Sequence, residues 1–287
     1  MNQFLTRKIL GDIYEYRIIH SYFDENALYE GRKKLDNSFL NQTRNWDLQK
    51  NSEWVLRNYL AIKMIMTSTV MLTSLEYSNE RNLKVVDPYL AYYSLLNLSR
   101  AVVFTNPNAL WKQGNLITST HSKTLNIVGD AIGQFEKEEG KRIKSILEKA
   151  RDYRELFSYK FPSNGITDFK IETSEAISIS TLLAEIAQFQ SEVLERRILS
   201  KDKLVKQFDD SILEMGYTFK GKTYEFIDQE DKYRLGYLIR KQPFPTSLYL
   251  TLTEGFVDDF FGAWCPEDSE NDDYNPDIDN CLIFQMP

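Results

Sequence analysis

Apolar residues recur at spacings of three and four along most of the chain, and this pattern divides it into helices. Residues 6–39 read as helical, with Ile9, Ile13, Tyr16, Ile19 and Phe23 recurring at spacings of three and four. Residues 37–51 are polar and predict a connection. Ser52 is the expected N-cap of a long helix whose apolar positions nearly encircle its axis: Val55, Leu56, Tyr59, Leu60, Ile62, Met66, Val70 and Leu75. A helix that is apolar on most sides belongs at the centre of a bundle. Asp87-Pro88 predicts the next start, with Asp87 as cap and Pro88 at the first helical position, and Asn106-Pro107-Asn108 predicts its stop. After a loop with a turn around Leu110, Thr120 is placed to cap a helix carrying Leu125, Val128, Ile132 and Phe135. Residues 137–159 form another, with Ile143, Ile146, Leu147, Ala150, Tyr153 and Phe157 on one side and a stop at Pro162-Ser163-Asn164-Gly165. Thr173 or Ser174 caps the last long helix, which runs through Leu182, Ile186, Phe189 and Leu194.

Beyond Ser200 the period changes. Residues 217–220 and 223–227 flank Gly221-Lys222 and predict a β-hairpin. Residues 233–239 and 247–252 are further strand candidates, and 254–264 a short helix or turn. The stretch 266–280 is acidic and poor in apolar residues, which predicts a solvated tail. The last seven residues, from Cys281, are apolar again and are suited to docking on the body. The expected fold is mainly α: an antiparallel helical bundle over residues 52–200, an N-terminal helical extension over 1–51, and a smaller C-terminal α+β region with an acidic tail over 201–287.

Composition narrows the function classes. A net charge of -7 argues against a protein that coats nucleic acid non-specifically. Much of the acidity lies between Asp258 and Asp279, which leaves room for a local basic face of Lys141, Arg142, Lys144, Lys149, Arg151 and Arg154. The two cysteines, Cys265 and Cys281, lack metal-site spacing and predict free thiols in a reducing cytoplasm. The most apolar run, 59–75, contains Lys63 and several hydroxyl residues and is unsuited to spanning a membrane. The acidic tail lacks the glycine and ordered spacing of a calcium loop. There is no phosphate-cradling glycine loop, zinc spacing or nucleophile elbow, so no metal or cofactor is expected.

Three segments in order resemble a HEPN domain (higher eukaryotes and prokaryotes nucleotide-binding). Residues 91–101, Ala-Tyr-Tyr-Ser-Leu-Leu-Asn-Leu-Ser-Arg-Ala, are similar to the second helix of that family, an aromatic pair before a cation–alanine ending. Thr120-His121-Ser122-Lys123-Thr124-Leu125 resembles its loop-to-helix entry with a histidine. Residues 150–159, Ala-Arg-Asp-Tyr-Arg-Glu-Leu-Phe-Ser-Tyr, resemble the helix that carries the arginine of its nuclease signature. The resemblance covers roughly 52–200 and implies an antiparallel bundle, often a homodimer, in bacterial toxin–antitoxin, antiphage defence or RNA-processing systems. In nuclease members arginine steadies phosphate charge and histidine moves protons. Here Arg154 is present, but Tyr159 stands where a histidine is needed, and the two histidines, His20 and His121, lie elsewhere.

The resemblance therefore implies a non-catalytic binding or assembly subunit, with a protein partner and RNA or a nucleotide as ligand. The candidate binding residues are Arg100, His121, Lys123, Arg151, Arg154 and Tyr159. One alternative is a HEPN ribonuclease that pairs Arg154 with His121 from a neighbouring helix or a second subunit. Another is a helical protein unrelated to HEPN. Arg154 with Tyr159 could grip a phosphate or a carboxylate. The competing reading is a helix end where Arg151 and Arg154 pair with Asp152, Glu148 or Glu155. His121 with Lys123 could add a second anion contact at a helix start, or belong to a capping loop.

Overall fold

The computed structural model describes residues 9–11, 13–162, 171–201, 204–265, 275–276 and 283–285. Its first helices are set by two aspartates. Asp24 accepts from the Ala27 amide (2.7 Å) to start α2 (Glu25–Thr43), which follows the single turn α1 (Ile19–Tyr22). Asp47 accepts from the Lys50 amide (2.8 Å) to start α3 (Leu48–Glu80). The helical reading of 6–39 is therefore interrupted at 13–18 and 23–24, and the connection expected over 37–51 shrinks to residues 44–47. The reason lies in the partner of the N-terminal strip. The Glu185 carboxylate accepts from three successive amides, Arg17 (2.6 Å), Ile18 (3.1 Å) and Ile19 (2.8 Å), which holds that strip out of a helix before α1. Ile13 is consequently exposed, whereas Ile9, Ile19 and Phe23 are buried. Ser52 is not the cap: it is buried inside α3, where its hydroxyl donates to the Leu48 carbonyl and accepts from the Asp209 amide.

The centre is built by α3, α4 (Asp87–Thr105) and α7 (Thr173–Leu199), with α3 against α4 and α4 against α7. α3 is buried on most sides, as its sequence implied, with Trp54, Leu56, Tyr59, Met66 and Leu72 inside. Arg57 is buried too. It stacks on Trp54, donates to the terminal carbonyls of α4 at Phe104 (2.6 Å) and Asn106 (2.7 Å), and pairs with Glu53 (2.9 Å). A guanidinium thus satisfies carbonyls that the end of a helix leaves open. At the other end of α4 Pro88 occupies the first turn. The Asp87 carboxylate accepts from the Ser78 hydroxyl (2.8 Å) rather than capping the helix. α5 (His121–Gly133) and α6 (Lys137–Tyr159) pack on each other and on α4. Their contact depends on glycine: a Cβ at Gly140 would lie 2.5 Å from the Gly129 carbonyl oxygen. Thr120 holds the N-cap position of α5 with extended backbone but without a side-chain cap. Glu172, not Thr173 or Ser174, holds that of α7, while the Thr173 hydroxyl accepts from Asn79 (2.8 Å). The stop signal at 163–165 lies outside the described residues.

The hairpin forms as expected, with β1 (Thr218–Lys220) antiparallel to β2 (Glu225–Ile227) and Phe219 opposite Phe226. A short helix α8 (Asp210–Glu214) precedes it. The two further strands do not form. Residues 233–239 lie in α9 (Gln229–Lys241), and 247–252 fold into the single turn α10 (Leu248–Thr251). In α9 Leu235 and Leu238 are buried while Tyr233 and Tyr237 are exposed, a helical stripe that tyrosine-rich composition disguises as strand. α10 is held by α7: Glu195, Ser191 and Gln188 accept from the amides of Ser247 (3.1 Å), Leu248 (3.0 Å) and Tyr249 (2.9 Å). α11 (Glu254–Gly262) follows as anticipated. Near the C-terminus Ile283 and Phe284 are buried, with Phe284 4.8 Å from the Tyr14 ring, so this apolar stretch does dock on the body. The acidic stretches 266–274 and 277–280, and Cys281, lie outside the described residues. Cys265 is a free, half-buried thiol.

The molecule is mainly helical with a small two-stranded sheet, and one cluster of buried residues runs from Ile9 to Phe284. Among the described residues no helix is long and apolar enough to cross a membrane, and no group of histidine, cysteine and carboxylate side chains could hold a metal ion.

Candidate anion site

Three elements converge beside the start of α5. α4 contributes Tyr92, Tyr93 and Arg100. Tyr93 and Arg100 are seven residues apart, two helical turns, and so share a face. α6 contributes Arg151 and Arg154, three apart and therefore neighbours on one side. His121, the first residue of α5, lies against the two tyrosines. Its Nδ1 lies 2.8 Å from the Tyr92 hydroxyl, and its ring centre is 5.7 Å from Tyr92 and 6.4 Å from Tyr93. The Arg154 guanidinium lies 5.0 Å from the Tyr92 ring and 5.7 Å from Tyr93. Arg151 reaches the Ser122 hydroxyl at 3.4 Å.

The electrostatics follow from crowding cations around one imidazole. Burial, then the positive charges of Arg100 and Arg154, push the His121 pKa below its ordinary value, with Glu155 opposing. The imidazole is accordingly neutral at pH 7. Burial also lowers Arg100 and raises the Tyr92 phenol, and a hydrogen bond from Arg154 holds the phenol down. Arg100 remains charged, as arginine does in proteins. Nε of Arg100 and Nε of Arg154 are both buried with no hydrogen-bond acceptor among the described residues.

Four of the six candidate residues are thus brought together: Arg100, His121, Arg151 and Arg154. Tyr159 is not among them. It is 77% exposed, because five residues turn a helix to about 140° from the starting direction. Lys123 is exposed as well. The pairing that competed with ligand binding is only partly realised. Arg151 pairs with Asp152 at 3.0 Å, while Arg154 has Glu155 no nearer than 3.9 Å. The wider basic face on α6 is largely neutralised, since Lys141 pairs with Glu138, Arg142 with Glu139 and Lys144 with Glu148. Sequence reasoning missed Tyr92 as the hydrogen-bond partner of His121. The adjacent tyrosines eight and seven residues before Arg100 were the available signal. No protein-family model, curated protein or solved structure matches the chain.

Proposed function

We propose that the chain is a HEPN-like helical protein whose Arg100–His121–Arg154 cluster holds an anionic group of RNA or of a nucleotide. In this reading it serves as a non-catalytic binding or assembly subunit of a bacterial antiphage defence or toxin–antitoxin type system. The observation that carries the reading is the convergence of Arg100, Arg151 and Arg154 on a neutral His121, with two guanidinium Nε–H groups buried and without an acceptor among the described residues. A buried donor left unmade is costly, so a ligand oxygen that supplies the missing acceptor binds with that cost recovered. Guanidinium forks match phosphate oxygens in geometry as well as charge.

The ribonuclease reading keeps one supporting observation: His121 comes from another helix into the neighbourhood of Arg154. Phosphodiester cleavage requires both a base and an acid. Of the other titratable groups at hand, burial raises the Tyr92 phenol above its ordinary value, which makes it a weak acid, and the Glu155 carboxylate is half-exposed to solvent 3.9 Å from Arg154. The binding reading is therefore favoured.

Labelled RNA titrated with the purified chain tests both. Binding is expected to fall about ten-fold in Arg100→Ala or Arg154→Ala, as for loss of a charged hydrogen bond. It should weaken with salt. RNA that binds equally well to both variants sinks the proposal. Cleavage that disappears in His121→Ala establishes the nuclease reading instead.

A further inference from the structure

We infer that Tyr92 is the positioning residue of this site: its phenol holds His121 as the neutral tautomer with hydrogen on Nε2, which makes the cluster a cradle of donors selective for oxyanions that only accept. The inference rests on the anion-binding reading of the cluster. Tyr92 is buried between the two groups it serves, with Arg154 5.0 Å from its ring and His121 Nδ1 2.8 Å from its hydroxyl. Among the described residues the Tyr92 hydroxyl has one hydrogen-bond acceptor in reach, His121 Nδ1, and a buried phenol leaves its single hydrogen unmade unless it gives it there. An imidazole whose Nδ1 lone pair is taken carries its hydrogen on Nε2. Arg100, Arg151 and Arg154 oppose a second proton on that ring, with Glu155 acting the other way.

The consequence is chemical. The remaining ring nitrogen presents an N–H, beside guanidinium groups that present N–H as well. Nothing in that set accepts a proton from a ligand. A phosphodiester or sulfate, whose charged oxygens are acceptors only, satisfies every group. A ligand that must donate finds no partner there. The same arrangement removes the lone pair that a general base at His121 Nε2 would need, so one phenol separates holding from cutting.

Isotope-labelled full-length protein, with histidine signals read by long-range nitrogen–proton correlation at neutral pH, reports the tautomer directly. His121→Gln assigns the signal against His20. Hydrogen on Nε2 is expected in the wild type, with a shift towards the Nδ1–H form in Tyr92→Phe, which keeps the ring and its packing. Affinity for inorganic sulfate, the probe, should fall roughly five-fold in the same variant, the worth of one neutral hydrogen bond. Hydrogen on Nδ1 in the wild type, or a tautomer unmoved by Tyr92→Phe, overturns the inference. If the tautomer behaves as stated but the wild type does not bind sulfate, the anion-binding reading fails while the positioning role of Tyr92 stands.

Discussion

Replacing Glu192 by glutamine should make the protein more stable at alkaline pH and leave it nearly unchanged in acid. Glu192 lies inside α7 with its side chain 4% exposed. It accepts from the Tyr16 hydroxyl (3.0 Å) and the Gln188 amide (2.8 Å), and Arg196 stands 3.8 Å away. Burial dominates these favourable contacts and pushes its pKa from 4.5 up to about 7. The sign follows from which state holds the proton. Between those two values the folded protein keeps a proton that the unfolded chain has released, so stability falls as pH rises through that window and levels off above it. A shift of that size corresponds to about 3 kcal/mol between acid and alkaline limits. Glutamine preserves both acceptor contacts and cannot ionise. Urea unfolding of wild type and Glu192→Gln across the window should therefore give curves that agree at the acid end and separate to about 3 kcal/mol in favour of the variant at the alkaline end. Parallel pH profiles, or a variant less stable than wild type in alkali, would refute the argument that desolvation governs this carboxylate. Glu185 and Glu195 are also raised by burial, but they are common to both proteins and cancel in the difference.

Further outcomes follow from single contacts. Arg57→Met strands the Phe104 and Asn106 carbonyls and the Glu53 carboxylate, and should cost roughly 3 kcal/mol in chemical denaturation; a loss below about 1 would mean that water replaces the guanidinium. Gly140→Ala drives a methyl into the Gly129 carbonyl and the Gly133 backbone, so overpacking of about 1–3 kcal/mol should outweigh its helix propensity. Gly133→Ala meets nothing within 4 Å and should stabilise by up to about 1 kcal/mol, so reversed signs for this pair would discredit the close approach of α5 and α6. Tyr159→Ala should alter neither unfolding nor RNA affinity, since that ring is exposed and turned away from Arg154; a loss of affinity comparable to that of Arg154→Ala would return it to the site.

Much of the fold was legible because helical spacing is a local property. The α6 bounds, the central position of α3, the hairpin around Gly221 and the docking of Phe284 all follow from patterns within a few residues. The candidate cluster was legible in part, since Arg100, His121, Arg151 and Arg154 stand in the three segments that carry the resemblance, whereas the role of the buried Tyr92 was not. What failed depended on distant partners. Residues 13–17 have helical spacing, yet the carboxylate of Glu185, far along the chain, takes up the amides that follow and the strip is not helical. Residues 247–252 have strand composition, yet side-chain oxygens of Glu195, Ser191 and Gln188 on α7 accept from their first amides and fold them into a turn. Tyr159 has a plausible sequence distance from Arg154, yet the helical angle sends it to solvent. The sequence by itself determined the long helices between residues 48 and 199 and which cations they carry. Only the tertiary structure decided that Arg100, His121, Arg151 and Arg154 meet around Tyr92. Periodicity sets the direction of each side chain about its own axis, whereas the packing of α4, α5 and α6 sets which of those directions converge.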